Sequence, residues 1–249
     1  CMAESLDLCL HVGSHLKEVC GRLGIGYVFK ASYDQANRTC GASYRGPGLE
    51  LGLQWLGQVR ERLEVPVLTD VHEIGQCGPA AAVVDAIQIP AFLCRQTDLI
   101  LAAAATGRCV NIKKGQFMAP WDMAQAVAKV REAGNEQVLL TERGTTFGYN
   151  RLVTDFRGIP VMRQEAPVVF DATHSVQEPG GLGGSSGGQR QFAPLLAAAA
   201  MAAGADGLFI ETHPDPDRAL SDAASQIPLA EMAAVLQKCL RIFVAARQD

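Results

Sequence analysis

Six apolar runs in this chain each end by releasing a polar or ionised group, and that recurrence constrains the fold more tightly than any single motif. Ile25 to Phe29 leads into Lys30 and Ser32; VPVLTD leads to His72, CVNIKK to Lys113 and Lys114, VLLTER to Arg143, VVFDATH to His174, and GLFIETH to Glu211. A shorter run, Asp85 to Ile89, supplies another buried strand. Between these runs the apolar spacing becomes helical, over Glu4 to Arg22, Leu49 to Leu63, Ile74 to Val84, Thr97 to Thr106, Asp122 to Glu132, Phe192 to Ala203 and Leu229 to Ala246. Strands alternating with helices predict a parallel sheet. Arg143 to Gln164 interrupts the alternation, and its polar, glycine-punctuated sequence predicts a loop with a short helix.

A chain of 249 residues matches the roughly 250 of a single (β/α)₈ TIM barrel. The reading is one catalytic domain over residues 1–249, with seven strands in view and the first strand expected upstream of Cys1. An open doubly wound sheet is the competing architecture. No strand is followed by G-x-G-x-x-G or G-x-x-x-x-G-K-[ST], which argues against a nucleotide fold. In a barrel the C-terminal strand ends converge on one mouth, where active sites are built. Gly180 to Gly188, GGLGGSSGG, is either a flexible linker or a mobile lid over that mouth.

The charge balance excludes some functions. A net charge of −4 and a pI near 5.8 lack the broad basic field a nucleic acid requires. No run approaches the ~20 apolar residues of a membrane span. The eight cysteines contain no C-x-x-C pair, which argues against a zinc ribbon, and so apolar a chain fits a reducing cytosol.

Strand side chains alternate between faces, so lumen residues can be assigned together. Asn111 and Lys113 share one face, as do Val28, Lys30 and Ser32, then Asp70 and His72, and then Phe209, Glu211 and His213; Gln88 lies between two isoleucines. Burying so many ionisable groups is costly unless they bind something. Lys30, Lys113 and Arg143 place three cations at three strand ends, as a substrate bearing phosphate and carboxylate would require. A Glu142–Arg143 salt bridge is the alternative, weakened by their opposite parity, and Lys114 is expected to face helices or solvent. Asp70 and His72 could be a hydrogen-bonded pair or a catalytic one. Cys1, His174, Glu211 and Asp222 combine thiolate, imidazole and carboxylates, a set suited to one divalent ion such as Fe, Zn, Mn or Co. Cys1 could equally be a frayed terminus, and Asp222 a turn or cap residue.

The stretches FKASYDQANR, TDVHE, QIPAFLCRQTDL, NIKKGQF, TERGTTFGYN, FDATHSVQ, ETHPDP and LSDAASQ resemble the 3-deoxy-D-manno-octulosonate 8-phosphate synthases across essentially the whole chain. That family condenses phosphoenolpyruvate with arabinose 5-phosphate on a (β/α)₈ barrel, usually a homotetramer, and its product feeds lipopolysaccharide synthesis in Gram-negative bacteria. The resemblance implies that Lys30, Lys113 and Arg143 hold phosphoenolpyruvate, with Ser32, Gln88 and His174 nearby. Asn37, Arg38 and Thr39 would meet the pentose phosphate, Arg38 on its phosphoryl group, and Arg95 would reach a neighbouring subunit's sugar phosphate. Cys1 matches the cysteine of the metal-dependent class, with His174, Glu211 and Asp222 as co-ligands. Lys113, Asp70, His72 and His174 are the catalytic candidates; Asp70, His72 and Glu142 are unranked for proton handling. Family members commonly read ANRSS where this chain has Asn37, Arg38, Thr39 and Cys40, so a contact from Cys40 is in doubt. The related heptulosonate 7-phosphate synthases carry K-P-R-T-S in place of Ala36-Asn37-Arg38, which favours the pentose. The alternatives are that related synthase, or a non-catalytic sugar-phosphate-binding barrel.

Overall fold

A computed structural model describes residues 1–38, 41, 43–180 and 187–248. Thr39 and Cys40, and residues 181–186 of the proposed lid, lie outside the described residues.

Seven parallel strands form one sheet in strict chain order among the described residues: β1 (Phe29–Lys30), β2 (Val67–Asp70), β3 (Ala86–Ile89), β4 (Cys109–Lys113), β5 (Val138–Glu142), β6 (Val168–Asp171) and β7 (Gly207–Phe209). Each pairs only with its chain neighbour within that sheet, so every connection between successive strands is a crossover. The helices are α1 (Leu6–Leu23), α2 (Leu49–Leu63), α3 (Ile74–Ala81), α4 (Thr97–Ala105), α5 (Met123–Glu132), α6 (Gly158–Met162), α7 (Ala193–Ala202) and α8 (Met232–Ala245). The architecture is mixed α/β with a curled parallel sheet; the doubly wound order is absent among the described strands.

Local chemistry sets the helix ends. Ser5 caps α1 by accepting from the Leu8 N–H at 3.1 Å, which is why that helix starts at Leu6 and not at Glu4. Gly24, at φ 67°, stops it. α3 opens on a capping box between Glu73 and Gln76 and ends at Ala81, short of the expected Val84, where the Val83 N–H tightens onto the Ala80 carbonyl. The stretch after β5 differs more: Thr145–Thr146 and Leu152–Val153 pair antiparallel, turned by Gly148 and Asn150 at φ 72° and 53°, before α6 begins. Gln177–Glu178 and Gly187–Gly188 likewise pair antiparallel at the base of the glycine-rich segment.

The core lies between sheet and helices: Ile87, Ile89, Val110, Ile112, Leu140, Val168 and Phe170 are buried on the outward strand faces. The sheet's two edges, β1 and β7, remain unpaired with each other, although α1 and α8 touch behind them. Cys1 to Ala3 runs alongside β1's exit, where Ser32 N–H donates to the Cys1 carbonyl and Ala3 N–H to the Ser32 carbonyl, both at 2.9 Å. Below this lies an apolar cleft of about 840 Å³ lined by Leu8, Val12, Phe29, Leu208, Leu236 and Phe243. Val28, expected inward, is half exposed and lines that cleft at the foot of the sheet.

Candidate active site

Lys30, Asp70, Gln88, Lys113 and Arg143 end five consecutive strands or follow them directly, and all line one pocket of about 790 Å³ at the strands' C-terminal ends. His174, Glu211 and Asp222 close its other side. The floor is a satisfied polar layer: Thr141 Oγ1 donates to Asn111 Oδ1 at 2.7 Å, and Asn111 Nδ2 donates to Gln88 Oε1 at 3.2 Å.

Each cation is held by a different anchor. Lys30 Nζ lies 3.1 Å from Asp70 Oδ1. His72 Nε2 meets Asp70 Oδ2 at 2.9 Å, and Ser32 Oγ donates to the same oxygen at 3.0 Å. Ser32 is therefore buried beneath the pocket as a support for Asp70 and does not line it. Burial pushes the Asp70 carboxyl up, yet Lys30 and His72 outweigh it and hold the group well below the usual carboxylate range. Lys113 Nζ sits 2.5 Å from Asp171 Oδ2 and 4.1 Å from the Phe209 ring centre. Burial, then the neighbouring Lys30 charge, lowers the Lys113 ammonium despite Asp171. Arg143 Nη2 donates to Gln177 Oε1 at 3.0 Å, while its buried Nη1 has no partner among the described residues. An unpartnered buried guanidinium nitrogen is an anion receptor in waiting.

The expected alternative for Arg143 does not form. Glu142 Oε1 instead accepts the Arg143 and Gly144 backbone N–H groups at 2.8 and 2.6 Å and lies 3.5 Å from Lys114 Nζ. Glu142 thus shapes the turn that aims Arg143 inward, and it is unsuited to proton transfer at the pocket. Lys114 faces this elbow and is wholly buried, with Thr145 Oγ1 3.1 Å from its ammonium, so the solvent reading is wrong.

Ligand atoms of His174, Glu211 and Asp222 lie within 4.8 Å of one another. His174 Nδ1 is 2.7 Å from Asp171 Oδ2 and 3.4 Å from Lys113 Nζ. The shorter, carboxylate contact assigns the proton to Nδ1, leaving the Nε2 lone pair facing Glu211 Oε1 at 3.7 Å. Burial first, against Asp171, pushes the imidazole down to about 4, so it is neutral at pH 7. Burial and the nearby Asp222 raise the Glu211 carboxyl well above its ordinary value, and Glu211 Oε2 is buried without a partner among the described residues. Two converging carboxylates, a neutral imidazole and an orphaned acceptor fit a divalent cation. Cys1 is not in this group: its backbone nitrogen lies against Glu211 Oε1, but its thiol points to the Thr212 carbonyl at 4.0 Å.

Asn37 and Arg38 stand on the pocket rim. Arg38 is anchored there by bonds to the Leu220 and Tyr44 carbonyls at 2.6 and 3.2 Å. Arg95 is exposed after β3 and outside the pocket lining, and Thr39 is outside the described residues.

Two residues were missed. Asp171 shares its strand face with Val169, so the parity rule that found Lys113 would have found it too. Gln177 follows a single 3₁₀ turn, where no period applies.

The chain matches the family model described as the DAHP synthetase I family over residues 1–244. It is 58% identical over 251 residues to the 2-dehydro-3-deoxyphosphooctonate aldolase of Desulfosudis oleivorans, covering 100% of this chain and 90% of that protein. Proteins of the same name from Rhodopseudomonas palustris and Granulibacter bethesdensis are 58% identical over 250 residues and 59% identical over 239; the coverage is 100% and 96% of this chain, and 87% and 85% of theirs. With its cation-lined pocket and its full-length matches, this chain belongs to the DAHP synthetase I family.

Proposed function

We propose that this protein condenses phosphoenolpyruvate with D-arabinose 5-phosphate and water, giving 3-deoxy-D-manno-octulosonate 8-phosphate and phosphate for lipopolysaccharide synthesis. The observation that carries the reading is the convergence of Lys30, Lys113 and Arg143 on one pocket beside His174, Glu211 and Asp222. Three cations suit the phosphate and carboxylate of the enol substrate, and Gln88 lies on the same wall. Asn37 and Arg38 take the pentose phosphate from the rim, and Thr39, outside the described residues, is assigned to the same substrate. The family description carries the heptulosonate name, but the relatives quoted above are named for the octulosonate, and Ala36-Asn37-Arg38 lacks the K-P-R-T-S loop expected for the shorter sugar.

Phosphoenolpyruvate C3 attacks the sugar aldehyde, water captures C2, and the resulting hemiketal phosphate loses phosphate by C–O cleavage. The cations hold two anionic substrates in attacking geometry and so turn a bimolecular encounter into an oriented one. Asp70 and His72, paired at 2.9 Å beside Lys30, are suited to move a proton at the mouth. A divalent ion (Fe, Zn, Mn or Co) on His174, Glu211 and Asp222 would polarise the aldehyde or activate water. Cys1, whose main chain adjoins Glu211, would be the fourth donor only once its thiol turned away from the Thr212 carbonyl.

The same reading makes residues 1–249 one catalytic domain, a closed (β/α)₈ barrel. The two unpaired edges and the apolar cleft beneath them support that closure. Exposed Phe92, Phe117, Trp121, Phe147 and Tyr149 on the loops after β3, β4 and β5 support a subunit interface, as a homotetramer with Arg95 completing a neighbour's site would need. Among the described residues no helix is long and apolar enough to cross a membrane. The seven described cysteines are all free, which suits a reducing cytosol.

The test is phosphate release from phosphoenolpyruvate with arabinose 5-phosphate or erythrose 4-phosphate, before and after chelation and metal return. Release with the pentose alone, lost on chelation and restored by metal, is expected. Release only with the tetrose would overturn the substrate, and activity without metal would overturn the ion. Binding without release would leave a sugar-phosphate-binding barrel.

A further inference from the structure

One amide joins the anion-binding and cation-binding halves of the pocket. Gln177 Oε1 accepts from Arg143 Nη2 at 3.0 Å, and its Nε2 donates to Asp222 Oδ1 at 2.6 Å. The amide's orientation is unambiguous, because a guanidinium only donates and a carboxylate only accepts; flipping it would oppose like groups at both ends. Gln177 is buried, and its backbone is fixed by pairing with Gly188. Asp222 is one of three non-glycine residues with positive φ among those described, at 50°, so its carboxylate is presented from a backbone that must be held in place.

The two ends of this relay each carry an unsatisfied group. Among the described residues, Arg143 Nη1 is a buried donor without a partner, and Glu211 Oε2, beside Asp222, is a buried acceptor without one. An anion would complete the first and a cation the second. Either ligand would fix Gln177 from its own side and so spare the other the cost of ordering it.

We propose that Gln177 is a positioning residue that couples the two binding events, so that a divalent cation on His174, Glu211 and Asp222 tightens phosphoenolpyruvate on Arg143, and the reverse. This rests on the synthase reading above. The coupling is reciprocal by thermodynamic necessity, and comparable couplings amount to about 5–150-fold in affinity.

The experiment uses the full chain, Co²⁺ and phosphoenolpyruvate. The dissociation constant of each is measured with and without the other by calorimetry and by the cobalt visible spectrum, with corrections for complexation in solution. In the wild type each ligand should tighten the other by about 5-fold or more, and by the same factor both ways. Gln177→Met, of similar size, should bring that factor below about 2 while each ligand alone still binds. Gln177→Glu, a second route should the first not fold, sets like charge against Asp222 and should also abolish the coupling while tightening Co²⁺ bound alone. An unchanged factor in either folded variant overturns the inference. Wild-type protein that binds both ligands independently overturns it and leaves the synthase reading standing, whereas binding of neither overturns both.

Discussion

Asp171→Asn probes the most heavily used carboxylate in the pocket. Asp171 Oδ2 receives Lys113 Nζ at 2.5 Å and His174 Nδ1 at 2.7 Å, and Oδ1 accepts the His174 N–H at 2.9 Å and the Thr173 hydroxyl at 3.2 Å. The amide is the same size but its NH₂ must face one of the two sets of donors, so the substitution removes the charge together with the hydrogen bonds accepted on that side. Breaking a buried ion pair from one side costs about 3–5 kcal/mol. Proton loss from Lys113 caps that cost: taking a lysine from 10.5 to pH 7 costs about 4.8 kcal/mol at about 1.4 kcal/mol per unit. The variant's folded state then holds a neutral Lys113 while the unfolded chain still binds the proton. Because the unfolded state binds more protons, stability rises with pH by about 1.4 kcal/mol per unit until the unfolded lysine titrates. The deficit against wild type should therefore be about 3–5 kcal/mol at pH 7 and narrow toward pH 9. Urea unfolding of chelated protein, followed by tryptophan fluorescence, measures both. Adding Lys113→Met to Asp171→Asn should recover part of the loss, since no buried charge is then left alone. A deficit below about 1 kcal/mol, or one that stays constant from pH 7 to pH 9, would refute the assignment of Asp171 as the counter-ion.

Asp70→Asn should cost about 3 kcal/mol at pH 7; because the Asp70 carboxyl is held low, the gap to wild type should close as pH falls below about 4, read by acid unfolding. Arg38→Ala should raise the pentose-phosphate KM by more than about 10-fold and the phosphoenolpyruvate KM by less than about 2-fold in steady-state assays. A Cβ on Gly52 would lie 2.3 Å from Tyr33 Cβ. Gly52→Ala should thus cost about 1–3 kcal/mol by thermal unfolding, since neither backbone can retreat.

Most of the sheet was legible because parallel strands buried on both faces read as apolar runs, and Cys109–Lys113 and Leu49–Leu63 have the expected ends. The alternation of side chains delivered Lys113, Asn111 and Asp70 to the lumen from composition alone. It carried no information beyond the strand ends. The hairpin at Thr145–Val153 depends on Gly148 and Asn150 taking positive φ, which their sequence permits without requiring. Gln177 depends on which groups a 3₁₀ turn brings within reach, and Cys1's thiol on a rotamer. Glu142 shows the same limit: adjacency to Arg143 suggested a pair, whereas the backbone N–H groups at the turn claimed its carboxylate.

The pocket also straddles the two free edges of the sheet. Lys30 leaves the first edge strand, and its ammonium lies 5.7 Å from the ring of Phe209 on the last. Those residues are about 180 positions apart, so they meet late in any assembly route governed by chain separation. A ligand gripping Lys30 on one side and Glu211 on the other works as a clasp across that junction. Its affinity is added to the free energy that keeps the two edges of the sheet together, so cleavage by a protease at the junction should slow in proportion to occupancy. The substrate, in this sense, is also a fastener for the fold that binds it.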